Sequence, residues 1–220
     1  MDFTQTVLLT AELIGTFAFA FSGSVVAIQR KLDVFGTIVL GVITAVGGGM
    51  IRDITLGAIP PALFHKPVYV IVAAVTSFLI FCLCYFNADA LDKVNKGFYA
   101  KLLSIMDSIG LGIFTVLGVN AAVYSGYSDH AFLAISVGAI TGVGGGIMRD
   151  LLAMRTPVVL HKHVYAVASI AGASIYYILL PLISDSLALL TGASIVIAIR
   201  LLASHFQWNL PVANTKKNHE

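Results

Sequence analysis

Two Arg-Asp pairs, Arg52-Asp53 and Arg149-Asp150, each follow a glycine triplet, Gly47–Gly49 and Gly144–Gly146, inside stretches almost free of other charge. These residue types point to ion handling rather than bond-making. Glycine costs a helix about 1 kcal/mol relative to alanine, so three in a row signal a break or a close approach. Carbonyls freed by a break are oxygen ligands for a cation. Thr44 and Thr141 sit one turn ahead of the triplets, where a hydroxyl replaces a lost backbone partner or touches an ion. An arginine at mid-helix in a membrane costs about 2.5–3.5 kcal/mol and so takes a partner in the bundle interior. Adjacent helical residues point about 100° apart, which argues against pairing within Arg52-Asp53 or Arg149-Asp150. Depth instead pairs Glu12 with Arg52 near one end and Asp107 with Arg149 near the other, with Asp53 or Asp150 of the opposite copy as substitutes.

A single triplet would read as close helix packing through small residues. Two at matched midspan positions favour breaks lining a hydrated path, since free backbone groups in hydrocarbon cost several kcal/mol each. Other chemistry is poorly served. No lysine follows either triplet as a phosphate-binding loop requires, and Gly142 to Gly146 lacks the spacing and strand–helix setting of a dinucleotide site. No Ser-His or His-Glu pair stands at catalytic spacing within an apolar stretch, so no enzyme and no cofactor is expected. His65, His161 and His163 lie at stretch ends beside Lys66 and Lys162 and read as interfacial residues; His161 and His163 alone make a weak metal site. Cys82 and Cys84 are two apart on a helix and point away from each other, so they read as small apolar residues.

The elements that position these groups are written in the composition. The chain is 58% hydrophobic and 11% charged, with a mean hydropathy of +0.93, against about 45–50% and 25% in soluble domains. A membrane-crossing helix takes about 20 apolar residues. Seven spans are predicted, at 7–29, 34–59, 67–86, 102–124, 131–154, 164–182 and 187–205, leaving no room for a soluble catalytic domain. The first span is expected to be retained rather than cleaved, because Asp2 precedes it and Arg30-Lys31 follow, the reverse of a signal peptide. The net charge of +2 is too small to argue for nucleic acid.

The chain repeats itself. Residues 35–60 align with 132–157 with twelve identities in 26 positions, from Phe35/Phe132 to Pro60/Pro157. Val68-Tyr69 then match Val164-Tyr165, and upstream Glu12, Gly15 and Gly23 match Asp107, Gly110 and Gly118. The expected organisation is a first three-helix unit at 1–86, a cytoplasmic linker at 87–101, a second unit at 102–182, and a seventh helix with a polar, disordered tail at 183–220. Three spans per unit is odd, so the second copy enters from the opposite face, an inverted repeat of the kind seen in transporters. Of the 13 Lys and Arg, only Arg52 and Lys66 fall on the N-terminal side. Positive residues stay cytoplasmic, which puts the N-terminus outside and the C-terminus inside. Gly15, Gly23, Gly110 and Gly118 are expected on outer faces, available for packing between protomers.

Duplicated glycine-Arg-Asp segments, inverted three-helix repeats and a seventh helix resemble the prokaryotic branch of the trimeric intracellular cation (TRIC) channels, over roughly residues 1–205. The resemblance implies an all-α membrane protein, a homotrimer in lipid with one pore inside each protomer. Its second and fifth spans would kink at the triplets and pass monovalent cations, chiefly potassium and also sodium. Eukaryotic relatives carry Lys-Glu-Val near the first kink; Arg52-Asp53-Ile54 stands there in this chain, pointing to a prokaryotic plasma (inner) membrane. The wider group includes bacterial proteins regarded as glycine transporters, and the motif alone does not separate the two.

Overall fold

The computed structural model describes residues 3–87, 98–161 and 164–208. Among them every regular element is helical: α1 (Phe3–Gln29), α2 (Val34–Thr55), α3 (Ala62–His65), α4 (Val68–Phe86), α5 (Phe98–Ala122, continued by a π-turn at Val123–Tyr127), α6 (Ala131–Leu152), α7 (Val158–His161), α8 (Tyr165–Leu179) and α9 (Asp185–His205). Six are long and apolar enough to cross a membrane, while α8 has 15 residues, about 22 Å of rise. The predicted sixth span is therefore shorter than expected. Helix α5 begins at Phe98, so the linker is shorter than 87–101. Its residues 88–97, His163 and the tail beyond Trp208 lie outside the described residues.

Both copies stop their second helix by the same device. Backbone N–H groups of Ala58 and Arg155 donate to the carbonyls of Asp53 and Asp150, each at 2.8 Å. The turn between runs through left-handed backbone, at Gly57 (φ 75°) in one copy and Met154 (φ 50°) in the other. Glycine takes that conformation freely; a side chain pays about 1–2 kcal/mol. Met154 is 90% exposed, so no packing offsets the strain. Met154→Gly should therefore stabilise the protein by about 0.5–1 kcal/mol after allowing for glycine's extra freedom when unfolded, read as a higher thermal midpoint in detergent.

The units run in opposite directions. On α1 and α5 the same residues meet head to tail: Gly15 lies against Phe114, Gly110 against Phe19, and the two phenyl rings stack at 5.3 Å. At one end Arg30 donates to the Met154 carbonyl and Arg155 to Gln29. At the other, Tyr124 bonds Asp185 and Tyr177 bonds the Ser128 carbonyl. Helix α9 packs on α5 and α8.

Two expectations fail here. The glycine triplets do not interrupt their helices: α2 and α6 keep helical backbone throughout. Nor do Gly15, Gly23, Gly110 and Gly118 face outward. Gly23 abuts Thr44 and Gly41, and Gly118 abuts Thr141 and Gly138, so all four close contacts within the protomer. The reason is common to both: in a bundle this small the close helix approaches are internal, and glycine is spent on them.

Candidate ion site at the glycine crossing

The two triplets meet. A Cβ on Gly48 would stand 2.2 Å from the Thr141 carbonyl oxygen, and one on Gly145 2.1 Å from that of Thr44. Gly144 lies against Gly48 itself, with Ile51 packed on Gly144 and Met148 on Gly47. Helices α2 and α6 thus cross backbone on backbone, and only glycine fits at the centre. Thr44 and Thr141 are fully buried and donate to the carbonyls of Leu40 and Val137, each at 2.6 Å. Gly49 is different: the nearest atom to its Cβ position is Arg52 Nη2 at 3.8 Å. Gly146 faces the Tyr165 hydroxyl.

Below and above the crossing lie the two arginines. Arg149 is 2% exposed and takes three partners. Its Nη1 donates to Asp107 at 2.6 Å and also to Ser22, while its Nε donates to Asp150 at 2.9 Å. The depth pairing of Asp107 with Arg149 is therefore present. Its counterpart is not. Arg52 Nε donates to Asp53 at 2.8 Å; among the described residues no ion pair joins it to Glu12, whose carboxylate accepts from the Tyr69 hydroxyl. The 100° rule that argues against pairing of neighbours describes Cβ directions. The Arg side chain is long enough to double back along the last helical turn, and in both copies it does.

Each aspartate has a second task. Asp53 Oδ2 accepts the Ala62 N–H at 2.8 Å, and Asp150 Oδ2 the Val158 N–H at 3.0 Å. The Arg-Asp pair thus ties the end of the long helix to the short helix that follows.

A recess lies beside each arginine. One, of about 140 Å³, is bordered by Glu12, Thr16, Gly49, Arg52, Asp53 and Tyr69, with Lys66 at its edge. The other, of about 500 Å³, is bordered by Arg30, Arg149, Asp150 and Arg155. Burial, and next the Arg30 charge, draw the Arg155 guanidinium below its ordinary value. Sequence reasoning missed Tyr69 and Tyr165 as site residues, although their Val-Tyr pairs mark them as repeat partners. It also missed Arg200, which stands 4.0 Å from Asp107 and lies over the Tyr165 ring; its lone charge inside the seventh span was the signal. Ser22 carried none. Cys82 and Cys84 are unpaired, and among the described residues no three metal-ligating side chains converge.

Fold and site define an integral membrane protein of two inverted helical units meeting at a glycine crossing. The chain belongs to the family described as Glycine transporter, whose model matches twice, at residues 9–85 and 104–181. It is 39% identical to a UPF0126 membrane protein of Vibrio cholerae, over 94% of this chain and 82% of that one. It is 36% identical to the UPF0126 inner membrane protein YadS of Escherichia coli, over 94% and 96%. Among solved structures it is similar to a TRIC cation channel studied for its conductance (TM-score 0.81, 34% identity, 94% of this chain and 97% of that one). It is likewise similar to the TRIC orthologue of Rhodobacter sphaeroides (TM-score 0.82, 29% identity, 92% and 100%). A TRIC channel of C. elegans shares the fold at 17% identity and TM-score 0.60.

Proposed function

We propose that the protein is a cation channel, passing potassium and sodium through each protomer of a homotrimer in a prokaryotic inner membrane. The observation that carries this reading is whole-length likeness to TRIC cation channels at 34% identity. The two recesses support it, because one borders α2 beside Arg52 and the other borders α6 beside Arg149. In this arrangement the path is shut by the backbone contacts of Gly48 and Gly145, and conduction requires α2 and α6 to part there. Once parted, the carbonyl oxygens of Thr44 and Thr141, which press on Gly145 and Gly48, would face the passing ion. Arg52 and Arg149, neutralised by Asp53, Asp107 and Asp150, would leave no bare positive charge. Helix α8 makes a short sixth crossing, bringing the total to seven, with the N-terminus outside and the C-terminus cytoplasmic. Lipid covers the apolar face of α4, where Ile71, Phe78, Leu79 and Leu83 are exposed.

Reconstituted into a planar bilayer under a KCl gradient, the protein should show unitary currents reversing near the potassium potential. Reversal near the chloride potential would reject the cation assignment. A second reading has its own support: the 140 Å³ recess presents both signs of charge, Glu12 and Asp53 beside Arg52 and Lys66, as a zwitterionic amino acid such as glycine would need. Saturable uptake of labelled glycine into proteoliposomes, without unitary current steps, would decide for that transporter.

A further inference from the structure

One acid in each unit has two available partners, and the two units choose differently. Glu12 and Asp107 hold matched positions in the repeat, as do Arg52 and Arg149, and Tyr69 and Tyr165. In the first unit Glu12 accepts from the Tyr69 hydroxyl, and Arg52 is paired with Asp53. In the second, Asp107 accepts from Arg149 at 2.6 Å. There the Tyr165 hydroxyl has no hydrogen-bond partner, although the residue is 1% exposed. A buried hydroxyl left unbonded is a cost to the arrangement that holds it.

The other choice is within reach at both ends. Glu12, Arg52 and Tyr69 border one recess, and Asp107 stands beside the Tyr165 hydroxyl without completing a bond to it. Neither exchange strands a charge. Arg200 lies over the Tyr165 ring and 4.0 Å from Asp107, so Asp107 turned to Tyr165 keeps a counter-ion. Arg149 would keep Asp150, as Arg52 keeps Asp53.

The two ends are also joined mechanically. Glu12 and Asp107 each lie three residues before a glycine at which α1 and α5 touch, Gly15 on Phe114 and Gly110 on Phe19. Arg52 and Arg149 each lie four residues after a glycine at which α2 and α6 cross, Gly48 and Gly145. Whatever grips an arginine therefore acts, one helical turn away, on the crossing.

We propose that these six residues form a two-position switch, and that the structure holds one position. In the other, Glu12 grips Arg52 and Asp107 turns to Tyr165, so each unit takes the arrangement its partner has here. Packed interfaces are bistable rather than continuously deformable, and in inverted-repeat transporters one repeat moves against the other around the site. The inference rests on the reading that ions or solute pass between α2 and α6, and it names the side chains that part them.

Tyr165→Phe removes a hydroxyl that the second position needs and the first leaves unused. Potassium or glycine flux into proteoliposomes should fall at least tenfold while the thermal midpoint stays at or above wild type. A merely structural hydroxyl would not separate the two. Glu12→Gln, which weakens the grip on Arg52, should lower flux as well. Thiol labelling reads the position itself. In a Cys82→Ala, Cys84→Ala background, Ala62→Cys and the matched Val158→Cys place a thiol at one recess or the other. Tyr69→Phe frees Glu12 for Arg52, and should raise the labelling rate at 158 relative to 62 at least threefold. Wild-type flux in Tyr165→Phe, or a ratio that Tyr69→Phe leaves unmoved, would overturn the switch. If the wild-type protein passes neither ion nor glycine, the transport reading fails by itself and the labelling ratio still decides the switch.

Discussion

Alanine at Gly48 is expected to destabilise the protein sharply, while alanine one residue on, at Gly49, leaves it close to wild type. The two positions belong to one triplet and have the same helix propensity, so propensity cancels from the comparison. A methyl group on Gly48 would stand 2.2 Å from the Thr141 carbonyl oxygen, a rigid backbone atom, whereas at Gly49 the nearest atom is 3.8 Å away, at the end of the flexible Arg52 side chain. Overpacking costs about 1–3 kcal/mol where side chains can adjust, and backbone against backbone leaves little to adjust. About 3 kcal/mol is the expected loss, the same for Gly145→Ala, read as a fall of several degrees in thermal midpoint. Equal midpoints for Gly48→Ala and Gly49→Ala would mean that the helices do not cross this closely. The comparison also bears on conduction. A bulky residue at Gly48 acts first by forcing α2 from α6, so lost flux in Gly48→Leu counts only in protein shown to remain folded.

The second large effect belongs to Arg149. Removing it by Arg149→Met keeps the volume but strands Asp107 and Asp150, which are 4% and 2% exposed. Breaking a buried pair by deleting one partner costs about 3–5 kcal/mol. Arg52→Met is the internal control. Its side chain is 14% exposed against 2% for Arg149 and has one carboxylate rather than two, so it should cost clearly less. Arg149→Lys should recover only part of the loss, because an ammonium cannot span two carboxylates as the guanidinium fork does. Equal losses at Arg52 and Arg149 would contradict the asymmetry between the two ends.

The architecture was readable because duplication writes itself twice. Inverted copies, the apolar helices and the pairing of Asp107 with Arg149 all follow from spacing and depth. What escaped has a common origin in side-chain reach and helix approach. Glycines that look like helix breakers are indistinguishable in sequence from glycines at a crossing; Thr44 and Thr141, on opposite helices, supply the carbonyls that decide it. The bond from Arg52 to Asp53 escaped because a rule about Cβ directions was applied to a side chain that can fold back. Arg200 escaped because its helix has no repeat partner, so nothing in the duplication marked it.

The contact between α2 and α6 uses the same surface from each unit, Gly48 on Thr141 and Gly145 on Thr44. Such a self-complementary patch is what a homodimer of oppositely inserted subunits would bury, and fusing the two genes would keep it. Once fused, the halves can diverge. Here the divergence is located: the Arg52 side chain is 14% exposed and pairs with Asp53 alone, while its image Arg149 is 2% exposed and bonds Asp107, Asp150 and Ser22, with Arg200 close by. The two ends of the bundle therefore carry chemically different charge clusters on a symmetric frame, and the asymmetry resides in those few residues rather than in the fold.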